Sequence, residues 1–217
     1  MSESLLYAAA ISPYSQRVIM QIALKKLPIE IQEPPGGLGS EAYRAINPMA
    51  KVPALLYAGE VLPESAVIAE FLEDIFPDQP LRPADAWQRA QMNVVIRVAD
   101  TYVMDAMLPL FSQLDPSSRD DALISATLAA VADGLDRLDV LLEPSPFAAG
   151  PDVTLADLAL VPILKFCQVF LPAFGGEDPF PGRNAISQYW ATAQGEPTLA
   201  HCLAEMQAAI ESTLGHG

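Results

Sequence analysis

Three short stretches hold polar groups where a helix or strand would begin, the points at which a backbone has hydrogen bonds to spare. Ser12-Pro13-Tyr14-Ser15-Gln16-Arg17 sets a hydroxyl before a proline, and proline suits a first helical turn because its missing N–H costs nothing there. By residue type alone Ser12 reads as a helix cap. Lys51-Val52-Pro53 precedes a short apolar run. X-Pro bonds are the ones that turn cis at small cost. A cis Val52-Pro53 bond would face the Val52 amide and carbonyl outward, one donor and one acceptor for an extended, peptide-like ligand. Glu64-Ser65 opens a periodic helix, where N–H groups pointing into open space suit a carboxylate. The plainer reading of residues 47–76 is a hairpin leading into an amphipathic helix.

Other chemistries lack their residues. Cys167 and Cys202 make no disulfide framework and no CxxC occurs. His201 and His216 lie late and far from other ligand types, so no metal site is expected. With 12 basic against 27 acidic residues the formal charge is −15, which argues against a nucleic-acid partner because phosphates need a basic footprint. No run is expected to approach the roughly 18 apolar residues that span a bilayer. Glu3 stands where a secretory signal carries basic residues. The expectation is a cytoplasmic protein without a membrane partner.

Leu5 to Ala8 reads as a buried strand, followed by a helix with Val18, Ile19, Ile22 and Ala23 inward. Pro28 to Ile31 reads as a second strand, closing a parallel β-α-β unit. After the irregular Glu33–Gly39 segment comes a short helix over Glu41–Ile46. Residues 54–57 and 60–62 flank Ala58-Gly59 as a tight hairpin. Ile68, Phe71, Leu72 and Ile75 then fall at i, i+3, i+4 and i+7 of a helix. Pro77, Pro80 and Pro83 mark a linker.

Beyond the linker the pattern is helical only: 85–111, a stripe from Ile124 to Leu142, then 154–171, 184–194 and 198–212. Thr154 and Asp157 are spaced as a capping box. The organisation is an α+β first domain over 1–77, a linker over 78–84 and an all-α domain over 85–217.

Asn47-Pro-Met-Ala-Lys-Val-Pro-Ala-Leu55, followed by Pro63-Glu-Ser-Ala-Val-Ile-Ala-Glu-Phe-Leu-Glu-Asp74, resembles the glutathione-binding half of cytosolic glutathione S-transferases. Ser12 to Arg17 resembles the serine-x-x-serine-x-arginine run of the zeta class and the serine-proline-phenylalanine run of the tau class. Ala156-Asp-Leu-Ala-Leu-Val-Pro162 resembles the zeta class in particular.

The resemblance implies a thioredoxin-like domain with a mixed four-stranded sheet, followed by a helical bundle, and a homodimer with the first long helix at its interface. It implies glutathione as co-substrate. The cis Val52-Pro53 step would pair with its cysteinyl part, Glu64 and Ser65 would hold its γ-glutamyl carboxylate, and Lys51 would face its glycyl carboxylate unless it is a solvated surface lysine. Arg17 is expected to be structural, paired to the helical domain. Asp100 and Asp105 on the first long helix are expected on a solvated face, with contact to a partner's glutathione as the alternative.

A glutathione transferase must raise the thiolate fraction, since a thiol of pKa about 8.5 is only a few per cent ionised at pH 7. A hydroxyl at a helix N-terminus supplies a charge-assisted bond and the helix dipole together. Ser12 is the residue the resemblance assigns to this role, with Ser15 as rival. Tyr7 reads as core, and no cysteine stands in the catalytic place.

Tyr14, Tyr102, Met107, Phe111 and Phe166, with Leu108 and Phe170, are candidate walls for the second substrate. Zeta-class enzymes isomerise maleyl-type dicarboxylates, which needs cations. This chain has Tyr14 where the zeta run has cysteine, and its helical half has few arginines in pocket-like places, with Arg183 in a loop left open. An apolar electrophile is therefore favoured. A zeta-like cis-trans isomerase and a non-catalytic ligand-binding protein of the same fold are the alternatives.

Overall fold

The computed structural model describes residues 4–142 and 145–214. They fall into two compact units, Met1–Leu81 together with Pro197–Gly217, and Arg82–Glu196.

In the first unit the order is β1 (Leu5–Tyr7), α1 (Pro13–Lys25), β2 (Glu30–Gln32), α2 (Glu41–Ile46), β3 (Ala54–Tyr57), β4 (Glu60–Pro63) and α3 (Ser65–Ile75). The sheet order is β2-β1-β3-β4. β1 and β2 run parallel, as the α1 crossover between them requires, and β3 runs antiparallel to both β1 and β4. Leu6, Val18, Ile22, Leu55, Ile68 and Leu72 form the core between sheet and helices. β2 begins later than the sequence suggests. Ile29 is buried, but its amide still donates to the Leu27 carbonyl within the turn, and the ladder starts with Glu30 donating to Ser4.

A buried polar knot ties this unit together. The Glu73 carboxylate accepts from Lys25 Nζ at 2.7 Å, from Gln21 Nε2 at 3.0 Å and from the Leu81 amide at 2.8 Å. A buried ion pair helps only when its remaining valences are satisfied, and here α1, α3 and the chain at Leu81 all contribute.

The second unit opens with α4 (Ala86–Val98), capped by Asp85, whose carboxylate accepts from the Trp87 and Gln88 amides. The single helix expected over 85–111 is not what forms. A π-helical turn covers Ala99–Met104, a short α5 covers Asp105–Met107, and a 3-10 helix covers Leu108–Gln113. Pro109 has no N–H and cannot continue the α ladder. α6 (Asp121–Leu141), α7 (Leu155–Phe170) and α8 (Asn184–Ala193) complete the unit.

The capping box at α7 forms. Asp157 accepts from the Thr154 amide at 2.7 Å, the Thr154 hydroxyl at 3.0 Å and the Ala148 amide at 2.8 Å. Burial pushes the Asp157 carboxyl above the usual carboxylate range, against the pull of those donors.

Two further expectations are corrected. Leu155–Phe174 is 20 residues long and, by length and composition, apolar enough to cross a membrane. Yet most of it is buried inside the protein, and a helix apolar on all sides is what a buried core helix looks like. The last helix, α9 (Pro197–Leu214), packs on α1 and so groups with the first unit, where a bundle running to 217 was expected.

The π turn meets α6 at Gly134. A Cβ there would lie 1.9 Å from the Tyr102 carbonyl oxygen and 3.2 Å from Val103. Alanine is the better helix former by about 1 kcal/mol, but a backbone oxygen that close cannot give way as a flexible side chain would. Overpacking costs about 1–3 kcal/mol or more, and this contact belongs at the upper end. Gly134→Ala should therefore lower stability by about 2 kcal/mol in urea unfolding. A stability equal to or above wild type would show that the helices separate freely.

Candidate active site

Strand register brings the three sequence stretches to one end of the sheet. Tyr7, the last residue of β1, is paired with Ala54, the first of β3, and Ala54 is paired with Pro63, the last of β4. The loop to Ser12, the Lys51-Val52-Pro53 step and the Glu64-Ser65 turn therefore all leave the sheet at the same end.

Ser12 is the N-cap of α1, with Pro13 in the first turn. Its Oγ accepts from the Ser15 amide at 3.3 Å, which leaves the hydroxyl proton available to a ligand. The side chain is half-buried. Ser15 differs. It is 0% exposed, and its Oγ accepts from the Ala9 amide at 3.2 Å, pinning the loop that leads to Ser12. Gln16 adds a second pin through Nε2 to the Ala10 carbonyl at 2.7 Å.

The Val52-Pro53 bond is cis. Lys51 is exposed, while Pro53 is buried. Glu64 takes φ 72° and ψ 110°, a left-handed φ that costs a non-glycine residue about 1–3 kcal/mol and tends to occur at ligand sites. Its side chain makes no capping bond to α3, an 11-residue helix. The first amides of α3 are thus left without the usual side-chain acceptor.

Ser65 is buried and receives Arg17 Nη1 on its Oγ at 3.2 Å. With that lone pair engaged, the Ser65 hydroxyl is oriented to donate elsewhere. Arg17 itself is 3% exposed and lies 5.7 Å from the Tyr14 ring centroid. This contact between the starts of two helices was missed from sequence. An arginine among apolar residues on α1 reads as a long-range ion pair unless α3 is already known to pack there. Tyr7 is core, packed edge-to-face on Tyr43 with centroids 5.7 Å apart.

In the second unit, Phe111, Phe166 and Phe170 form a tier of near-parallel rings. Centroids are 4.9–6.0 Å apart and interplanar angles are 19–28°. Phe111 is 40% exposed, so one side of the tier is open. Met107 is fully buried and belongs to the core, not to a pocket wall. Tyr102 is exposed with the Arg137 guanidinium 5.0 Å above its ring. Asp100 is buried, contrary to the solvated face expected, and Asp105 is exposed. Burial pushes the Cys167 thiol up to about 12, so it offers no thiolate at neutral pH.

Residues 6–80 match the N-terminal domain family of glutathione S-transferases, and residues 121–189 match the corresponding C-terminal domain family. A probable maleylacetoacetate isomerase of Caenorhabditis elegans is 33% identical over 192 residues, covering 84% of this chain and 86% of the relative. The chain belongs to the glutathione S-transferase family. Glutathione S-transferase Z2 of Arabidopsis thaliana is 28% identical, covering 96% of this chain and 94% of its own length. A glutathione S-transferase from Methylobacterium radiotolerans, solved with glutathione sulfonate, superposes with a TM-score of 0.79 at 26% identity, covering 93% and 95% of the two chains. The two-part fold, a thioredoxin-like domain and a helical domain, is that of the family. This glutathione S-transferase is an enzyme whose family uses glutathione.

Its charge of −15 opposes an anionic co-substrate at long range. Contacts shorter than 4 Å are little affected by salt, whereas the field of the whole molecule is screened beyond about 10 Å at 0.1 M. Raising ionic strength from about 0.01 to 0.15 M should therefore lower KM for glutathione, read by initial rates in an inert salt. A KM that rises with salt would mean that local cations dominate the encounter.

Proposed function

We propose that Ser12 is the group that activates glutathione, and that the enzyme transfers the thiolate to an apolar, flat electrophile. The observation that carries this reading is the contrast between the two serines. Ser12 is half-buried at the start of α1 with its proton uncommitted, while Ser15 is sealed in and used by the Ala9 amide. A hydroxyl there donates to a thiolate alongside the α1 dipole. In the same reading Val52 pairs with the cysteinyl part, Lys51 faces the glycyl carboxylate, and Ser65 with the α3 amides holds the γ-glutamyl carboxylate. The uncapped start of α3 and the Arg17 bond to Ser65 support that assignment.

The open tier of Phe111, Phe166 and Phe170 supports an aromatic second substrate, since offset rings attract a further flat ring. An isomerase acting on a maleyl-type substrate is the second reading, favoured by the name of the Caenorhabditis relative. Against it, Arg183 is engaged by Asp136 and by the Ala132 and Pro179 carbonyls, and Arg137 by Asp133. Arg119 lies over the Phe174 ring and donates to the Gln113 carbonyl. Trp87 and Val94, 71% and 46% exposed and two turns apart on α4, support a homodimer through that helix.

Replacing Ser12 by Ala should raise the pKa of bound glutathione by about 1–2 units, the equivalent of one bond to a charged group. It should slow conjugation at neutral pH about tenfold or more with glutathione affinity barely changed, a loss confined to the anion. Thiolate absorbance and initial rates across pH read both quantities. Ser15→Ala should instead cost stability while leaving the bound-thiol pKa in place. A wild-type protein that binds glutathione with an unshifted thiol would leave a binding protein and not a transferase.

Calorimetry provides a separate check on the carboxylate end. Ser65→Ala should weaken glutathione binding by about 1–3 kcal/mol. Unchanged affinity would reduce Glu64 and Ser65 to a helix start.

A further inference from the structure

We infer that Tyr43 and Asn47 are positioning residues for glutathione: their side chains grip the Lys51 carbonyl and so aim the Val52 amide at the ligand. This rests on the reading above that Val52 pairs with glutathione. The Tyr43 hydroxyl donates to the Lys51 carbonyl at 2.7 Å and Asn47 Nδ2 donates to the same oxygen at 2.9 Å. A carbonyl oxygen has two lone pairs, and both are taken. The Lys51 C=O and the Val52 N–H belong to one planar peptide unit. Fixing the oxygen against the interior therefore fixes the N–H in the opposite direction, away from it.

The grip is itself held rigidly. Tyr43 is 0% exposed and Asn47 is 1% exposed. The Tyr43 ring stands edge-to-face on Tyr7, whose backbone is abreast of Ala54 at the same end of the sheet. A phenol is a donor at neutral pH in any case, and burial raises the Tyr43 pKa further. Asn47 Oδ1 accepts from the Met49 amide at 3.1 Å, and the Asn47 carbonyl accepts from the Ala50 amide at 2.8 Å. Ala50 has φ 52°, so residues 47–51 wind tightly around the Asn47 side chain. A ligand donor aimed by two buried side chains need not be reoriented on binding, and that lowers the cost of association.

The test uses Tyr43→Phe, which removes one oxygen and keeps the ring, and Asn47→Asp, which sets an oxygen against the Lys51 carbonyl. Glutathione KM should rise roughly 3- to 10-fold in Tyr43→Phe, the size of one hydrogen bond, and further in Asn47→Asp. The rate at saturating glutathione, KM for the second substrate and the bound-thiol pKa should stay near wild type. In wild type the Val52 amide resonance, followed by proton–nitrogen NMR, should shift as glutathione is added. In Tyr43→Phe the same shift should need correspondingly more glutathione. A purely structural role would lower the melting temperature and the fraction of active enzyme while leaving KM alone, and that result overturns the inference. A wild-type Val52 amide indifferent to glutathione overturns the underlying site reading instead, and the inference with it.

Discussion

Everything at the end of the sheet that carries Ser12, Val52 and Glu64 depends on where β3 pairs. Because β3 is antiparallel to both neighbours, its first residue stands beside the last residue of each, Tyr7 on one side and Pro63 on the other. A slip of one residue would turn every side chain of β3 to the opposite face and carry Leu55 out of the core. Burial of Leu55 between sheet and helices thus sets the register. The register in turn brings Ala8, Pro53 and Glu64 side by side. Apolar packing in the core thus determines which backbone groups meet at that end of the sheet.

Polar side chains do the finer alignment, from inside the protein. Arg17 joins the start of α3 to α1, and the Glu73 carboxylate joins Lys25, Gln21 and the Leu81 amide. Such groups are costly to bury, and removing one partner strands another. The penalty is smallest in the aligned arrangement, where only Gln21 Oε1 of the Glu73 cluster stays without a partner, so these bonds favour one relation between α1 and α3 more sharply than apolar contacts, which tolerate sliding.

Local patterns carried much of the fold. α2 runs over Glu41–Ile46 as expected from sequence, with Ser40 accepting from the Tyr43 amide at its start. The hairpin around Ala58-Gly59 and the capping box at Thr154 were equally readable, because each depends on residues a few positions apart. What stayed hidden depends on distant partners. The π turn at Ala99–Met104 meets Gly134, thirty or more residues later. Arg17, Gln21 and Glu73 look solvent-facing by composition, and only the packing of α1 on α3 makes them interior. Met107 and Phe111 share apolar character, so periodicity could not tell a core residue from an open ring. Ser12 could be preferred to Ser15 in sequence, but that Ser15 is used by the Ala9 amide depends on the path of the loop.

The return of α9 to α1 has a bearing on how the protein is made. Leu199, Cys202, Leu203, Met206 and Ile210 are buried in a helix that belongs to the first unit, although more than a hundred residues of the second unit separate them from α3. Synthesis from the N-terminus therefore leaves α1 without its α9 neighbour while the whole of Arg82–Glu196 is being added. The second unit is continuous in sequence and can assemble as soon as it is available, whereas the first must wait for a contact of very long sequence separation. The unit that carries Ser12 is thus closed only after the whole of the other has been added.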